Sequence, residues 1–163
     1  MRWNYYNYRE ACEVDGCYVL DHELSWLADP DVMYELKVDT PYVDCSDDVY
    51  DIMIRRDERT DAGVFLTPLL NSRLPVLAYN DDLDVICNYM SGQAWTSKLP
   101  WKHQIEFNRV KSKNTLLPNE TTYGEEKIYE NLSFLVFLEA GHMIPHDKPE
   151  ESLYMINKFT GLI

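Results

Sequence analysis

The sequence predicts an α/β protein, on three observations. Two apolar runs of strand length, 74–79 (LPVLAY) and 134–138 (FLVFL), each stop at a polar loop that carries acids or a histidine. Stretches with helical apolar spacing lie before, between and after them. The back half runs strand, loop, helix, then strands, then strand, loop and helix. Such an order suits part of a sheet that presents reactive groups at the carboxyl ends of its strands.

The elements follow in chain order. Residues 1–20 are aromatic and turn-rich. Asp29-Pro30 opens a short helix at 31–37: the carboxylate caps free amides, and the proline, with no N–H to lose, takes the first position. CSDDVYDIMIRR reads as helix, followed by a charged loop and a second helix around 62–70. Residues 74–79 form a short buried strand, and NDDLDVICN leaves it as a loop. A helix around 88–97 ends before Pro100, which cannot continue it. Residues 102–117 are polar and alternating and read as a hairpin-like strand region. TTYGEEKIYENLSFLVFLEA supplies two strands, the second apolar throughout. The loop GHMIPHD, interrupted by Pro145, reads as non-helical. PEESLYMINKF closes the chain as an amphipathic helix with Leu153, Ile156 and Phe159 on one face.

Composition excludes several classes of function. The formal net charge is −13, from 28 acidic and 15 basic residues among 163. That balance argues against nucleic acid, which demands a basic face. No apolar run approaches the ~18 residues of a membrane span, and the first residues lack the apolar core of a signal peptide. No cofactor motif is present. Cys12 and Cys17 flank the turn-like spacer EVDG, a spacing that suits a short-range disulfide. Cys45 and Cys87 supply no second close pair of the kind a zinc site needs. Two glycosylation triplets stand at Asn119 and Asn131 and lean towards a secretory route.

Two loops carry the chemistry. AYNDDLDVICN leaves the first apolar strand with acids, and EAGHMIPHD leaves the later one with a histidine. An acid followed later by a histidine is the chain order of the α/β-hydrolase triad, in which the serine comes first. A histidine titrating near neutrality takes the nucleophile's proton and hands it to the leaving amine. A buried carboxylate fixes the imidazole tautomer and stabilises its charged form. Gly141 is read as the turn that lets the ring face a cleft. His142 and His146 are four apart, but Pro145 between them argues against one helix face presenting both, so no metal site is assigned.

These residues carry a family resemblance. LLNSRLPVLAYNDDLDVICNYMSGQAWTSKLPW and FLEAGHMIPHDKPEESLYMINKF, with NYYNYREACEVDGCY, LADPDVMYEL and YVDCSDDV, resemble the C-terminal portion of serine carboxypeptidases of the carboxypeptidase Y type. The resemblance covers nearly the whole chain. It implies the C-terminal part of an α/β-hydrolase fold, with its last core strands and closing helix, joined to the end of an inserted helical cap. The division expected is cap at 1–62 and core at 63–163. Asp84 corresponds to the triad carboxylate and His142 to the triad histidine. Tyr6, Cys87 and Met143 correspond to residues lining the substrate site. Cys12 and Cys17 resemble a local disulfide, and Cys45 a half-cystine whose partner lies outside this chain. The implied partners are a peptide substrate and an N-terminal heavy chain carrying the serine, with no nucleic acid and no membrane. The implied setting is vacuolar, lysosomal or secreted.

The departures are informative. Where the family reads Tyr-Ala-Gly-Asp before the acid, this chain reads Tyr79-Asn80-Asp81-Asp82. A glycine with a permissive backbone is lost, and a charge is gained beside Asp84. Two readings stay open: Asp81 turns inward and raises the pKa of its neighbour by like-charge repulsion, or it points into solvent. No Gly-x-Ser-x-Gly occurs anywhere in the chain. Three origins of the missing serine also stay open: a light chain of a two-chain enzyme, a truncated product (for which Met1 speaks), or a stand-alone protein that binds a peptide or partner without catalysis.

Overall fold

The computed structural model describes residues 2–12, 17–18, 21–43, 46–56, 61 and 63–163. In chain order the elements are β1 (Arg2–Trp3), β2 (Ala11–Cys12), α1 (Asp21–Leu27), α2 (Pro30–Leu36), α3 (Asp47–Arg56), α4 (Gly63–Asn71) and β3 (Val76–Asp81). There follow α5 (Tyr89–Lys98), α6 (Gln104–Arg109), β4 (Lys113–Leu116), β5 (Thr122–Tyr129), β6 (Leu132–Phe137), α7 (Ile144–Asp147) and α8 (Pro149–Thr160). They fall into two compact units: Met1–Glu13 with Ala62–Ile163, and Val14–Asp61.

The smaller unit carries α1 to α3. Asp29 caps α2 by accepting the amide of Asp31 at 2.8 Å, with Pro30 at the first turn as the sequence requires. Lys37 ends the helix in the left-handed conformation. Cys12 and Cys17 are joined in a disulfide, while Cys45 lies outside the described residues.

The larger unit is built on a four-stranded sheet of order β3-β6-β5-β4. β3 runs parallel to β6, with Val76 opposite Leu132 and Asp81 opposite Phe137. β6 and β5 form an antiparallel hairpin, and β4 adds antiparallel to β5. Both faces of β6 are covered, which explains its unbroken apolar sequence. Leu132 and Phe134 pack with Leu70, Leu99, Trp101 and Phe107 from α4, α6 and the α5–α6 connection. Leu135 and Phe137 pack on the opposite face with Ile144 of α7 and Met155 of α8.

Four local expectations change. Residues 104–109 are helical, and only Lys113–Leu116 of the region 102–117 is strand. Phe107 explains this: it is fully buried in the helical core, and the alternation around it is too short to decide the period. β3 begins at Val76, is half-buried rather than buried, and continues through Asn80 to Asp81. The GHMIPHD loop contains the short helix α7, because Pro145 sits in its first turn, where a missing N–H is harmless. In α8 the buried positions are Ser152 and Met155, whereas Leu153, Ile156 and Phe159 are exposed.

Candidate active site

The acid loop grows directly out of β3. Asp81, the last strand residue, accepts the backbone amide of Asp84 through Oδ1 at 3.0 Å. Asp84 in turn accepts the amide of Ile86 through its own Oδ1 at 2.8 Å. These two side-chain turns curl the chain so that the Asp84 carboxylate is aimed inward and fully buried. Downstream, Asn88 caps α5 by accepting the amide of Ser91, and Asn80 donates to the carbonyl of Cys87 at 2.9 Å.

The histidine loop leaves the adjacent strand β6. Leu83 donates its amide to the carbonyl of Ala140 at 3.0 Å, tying the two loops together. The His142 amide donates to the carbonyl of Tyr6 at 2.8 Å, and the Gly141 amide donates to Asp147 Oδ2 at 2.7 Å. Gly141 is not in the left-handed region, so conformational freedom is not what the position requires. It requires space: a Cβ there would lie 2.7 Å from both the Tyr6 carbonyl oxygen and Asn7 Cβ.

The N-terminal segment fits between these loops. Buried Asn4 accepts the amides of Tyr6 and Asn7 through one oxygen. Tyr8 donates its amide to the carbonyl of Leu83, and Val85 donates to the carbonyl of Tyr5. Residues 4–8 therefore clamp the acid loop and the histidine loop at once. Sequence reasoning missed Asn4, Asn7 and Asp147: their side chains hold amides only two to six residues away, and where the turns they form then pack is not visible in the sequence.

The result is one juxtaposition. His142 Nδ1 lies 2.7 Å from Asp84 Oδ2, joining residues 58 positions apart. The carboxylate is inaccessible, while the imidazole remains 35% exposed. Nε2 has no protein hydrogen bond among the described residues, so the ring is held from behind and open in front. The Tyr6 ring stands 5.0 Å from the imidazole, centroid to centroid. Cys87, an exposed free thiol, joins the group: one donor atom each from Asp84, Cys87 and His142 lie within 4.8 Å of one another. Met143 follows the histidine, partly exposed, and its carbonyl accepts the amides of His146 and Asp147. His146 is exposed and bonded to Asp147, apart from this group.

Charge in the site is unbalanced. Asp81 turns inward and is buried, so the open question of its direction resolves. Its backbone is that of a strand, a conformation that requires no glycine. Burial, and next the charge of Asp84, push the Asp81 carboxyl up to about 7. The Cys87 thiol is also raised, by desolvation first and then by Asp84 and Asp81. Such a thiol is a poor nucleophile at neutral pH.

A carboxylate and a histidine meet here on loops at the carboxyl ends of two neighbouring parallel strands, an α/β arrangement. The comparisons narrow it. The fold matches the crystal structure of Kex1(Δ)p, a prohormone-processing carboxypeptidase from Saccharomyces cerevisiae, with a TM-score of 0.74 at 21% identity, over 98% of this chain and 36% of that one. Residues 2–161 match the family model described as serine carboxypeptidase, and the chain belongs to that family. It is 34% identical to carboxypeptidase Y homolog A of Podospora anserina, over 97% of this chain and 29% of the relative. It is 34% identical to carboxypeptidase Y of S. cerevisiae, over 96% and 30%, and 32% identical to serine carboxypeptidase 3 of Triticum aestivum, over 96% and 31%. The chain thus spans about three-tenths of the length of these relatives. No helix among the described residues is long and apolar enough to cross a membrane.

Proposed function

We propose that this chain contributes the acid and the base of a serine carboxypeptidase, Asp84 and His142, and that the serine lies outside these 163 residues. The observation that carries the proposal is the 2.7 Å bond between His142 Nδ1 and a fully buried Asp84 carboxylate. That bond leaves the proton on Nδ1 and the lone pair on Nε2, facing the open side. Nε2 takes the serine hydroxyl proton as the oxygen attacks the last peptide carbonyl. Asp84 stabilises the imidazolium that forms. His142 then protonates the departing amino acid, leaving an acyl-serine, and returns as base for the water that hydrolyses it.

On this reading Tyr6, Cys87 and Met143 line the substrate side of the imidazole. Residues 1–62 finish an inserted cap and 63–163 return to the core. Cys45 is the point of a disulfide to a serine-bearing chain, and the setting is vacuolar, lysosomal or secreted. Of the two glycosylation triplets, Asn119 offers an exposed amide, whereas Asn131 Nδ2 already donates to the carbonyls of Leu70 and Leu74. The absence of a Gly-x-Ser-x-Gly motif favours a second reading, a chain that binds peptide or partner without catalysis.

The test separates the two. The purified chain should release no terminal residue from a blocked dipeptide and take no fluorophosphonate label. Co-expressed with the serine-bearing N-terminal portion of the yeast relative, it should restore release. His142→Ala and Asp84→Asn should lower that restored rate by roughly 10³–10⁴-fold. Complementation by His142→Ala equal to that of the natural chain would leave only the binding reading.

A further inference from the structure

We infer that Asp81 is a positioning residue for the Asp84–His142 pair: it holds the backbone amide of Asp84 and places a second carboxyl behind the pair. The inference rests on the proposed roles of Asp84 and His142, but its test needs neither serine nor turnover.

Asp81 is 3% exposed and stands at the end of β3, opposite apolar Phe137 of β6. It forms no ion pair among the described residues. Its Oδ1 receives the Asp84 amide at 3.0 Å and so fixes the turn that aims the neighbouring carboxylate at the imidazole. The charged or titratable groups facing it are Asp82 and Asp84 from its own loop and His142 from the loop after β6. Cys87, at the end of the acid loop, feels it as well. Among the described residues, the bond of Asp84 to His142 is the one ion pair made by these carboxylates.

Two consequences follow. The amide of Asp84 reports directly on the protonation state of its acceptor. When Asp81 ionises, it adds a negative charge that disfavours the Cys87 thiolate. A peptidase built on this pair therefore works over a second carboxyl that changes charge near neutrality, because burial and Asp84 together raise it.

Asp81→Asn separates charge from shape, since the amide oxygen can still accept the Asp84 N–H. In the natural chain the Asp84 amide resonance should move with pH between about 6 and 8. In Asp81→Asn that movement should disappear while the fold, followed by its amide spectrum, is retained. Alkylation of Cys87 by iodoacetamide, read by peptide mass mapping, should be about threefold faster in the variant at pH 8, because one repelling charge is gone. An Asp84 amide that titrates identically in both proteins, or equal Cys87 rates, would overturn the inference. Failure of the natural chain to restore peptidase release, with both readouts as expected, would count against the catalytic reading alone.

Discussion

Replacing Asp81 by asparagine should make the protein more stable, and only above mildly acidic pH. A buried carboxylate with no cationic partner opposes folding when it is ionised. Its folded pKa is raised from an ordinary 3.8 to about 7. At about 1.4 kcal/mol per pH unit, the ionised form costs the folded state at most about 4 kcal/mol. The sign follows from proton uptake. Between about pH 4 and pH 7 the folded protein holds a proton that the unfolded chain has released. Stability from this group is therefore full below pH 4, declines as pH rises, and reaches its lowest plateau above pH 7. Asparagine carries no such dependence. Repulsion arising from the remaining acidic surface acts on both proteins and largely cancels in the difference. Urea unfolding followed by circular dichroism at pH 4.5 and pH 8, extrapolated linearly, gives that difference. The variant should gain little at pH 4.5 and roughly 2–4 kcal/mol at pH 8. A difference that does not change with pH, or a variant less stable at pH 8, would refute the assignment of Asp81 as a buried, unpaired carboxyl.

Other outcomes follow from particular contacts. Gly141→Ala should cost roughly 1–3 kcal/mol, read by the same unfolding assay, because the new methyl meets the Tyr6 carbonyl and Asn7 at 2.7 Å. An unchanged midpoint would show that the N-terminal segment does not close over the histidine loop. In a secretory eukaryotic host, enzymatic deglycosylation should convert Asn119 to Asp and leave Asn131 as Asn, since a glycan on Asn131 would displace two hydrogen bonds. Deamidation at Asn131 in the mass map would contradict this. Asn131→Ala should destabilise the β5–β6 turn by roughly 1–3 kcal/mol through the stranded carbonyls of Leu70 and Leu74. Size-exclusion chromatography should show the isolated chain self-associating, because β3 lies at an edge of the sheet and α4 leaves Val64 and Phe65 exposed. A sharp monomer peak would count against it.

The parts of the fold that were legible in the sequence are those with strong local causes. The apolar run of β6 needs cover on both faces, Asp29-Pro30 suits a helix start, and Pro100 keeps a helix from running through it. The Asp84 and His142 loops were visible for the same reason, each leaving an apolar strand. What was hidden depends on tertiary contact. Helix α6 reads as alternating polar residues until Phe107 is seen filling the core. The exposed side of α8 carries larger apolar residues than its buried side, so its pattern points the wrong way around the helix. The glycine at 141 was expected to bend the chain, and instead makes room for Tyr6 and Asn7. No sequence pattern signals that Asn4 would fold the N-terminal segment across both loops, or that Asp81 would turn inward. Asp81 was singled out only as an acid standing where relatives place a glycine.

The most direct measurement is the proton spectrum of the His142 imidazole in the ¹⁵N-labelled chain. A strongly downfield resonance bonded to Nδ1 should be present in the natural chain. It should vanish in His142→Ala and shift or disappear in Asp84→Ala, while the exposed His22 shows none. A His142 ring that gives no such proton and exchanges like His22 would contradict the pairing of acid and base on which the account depends.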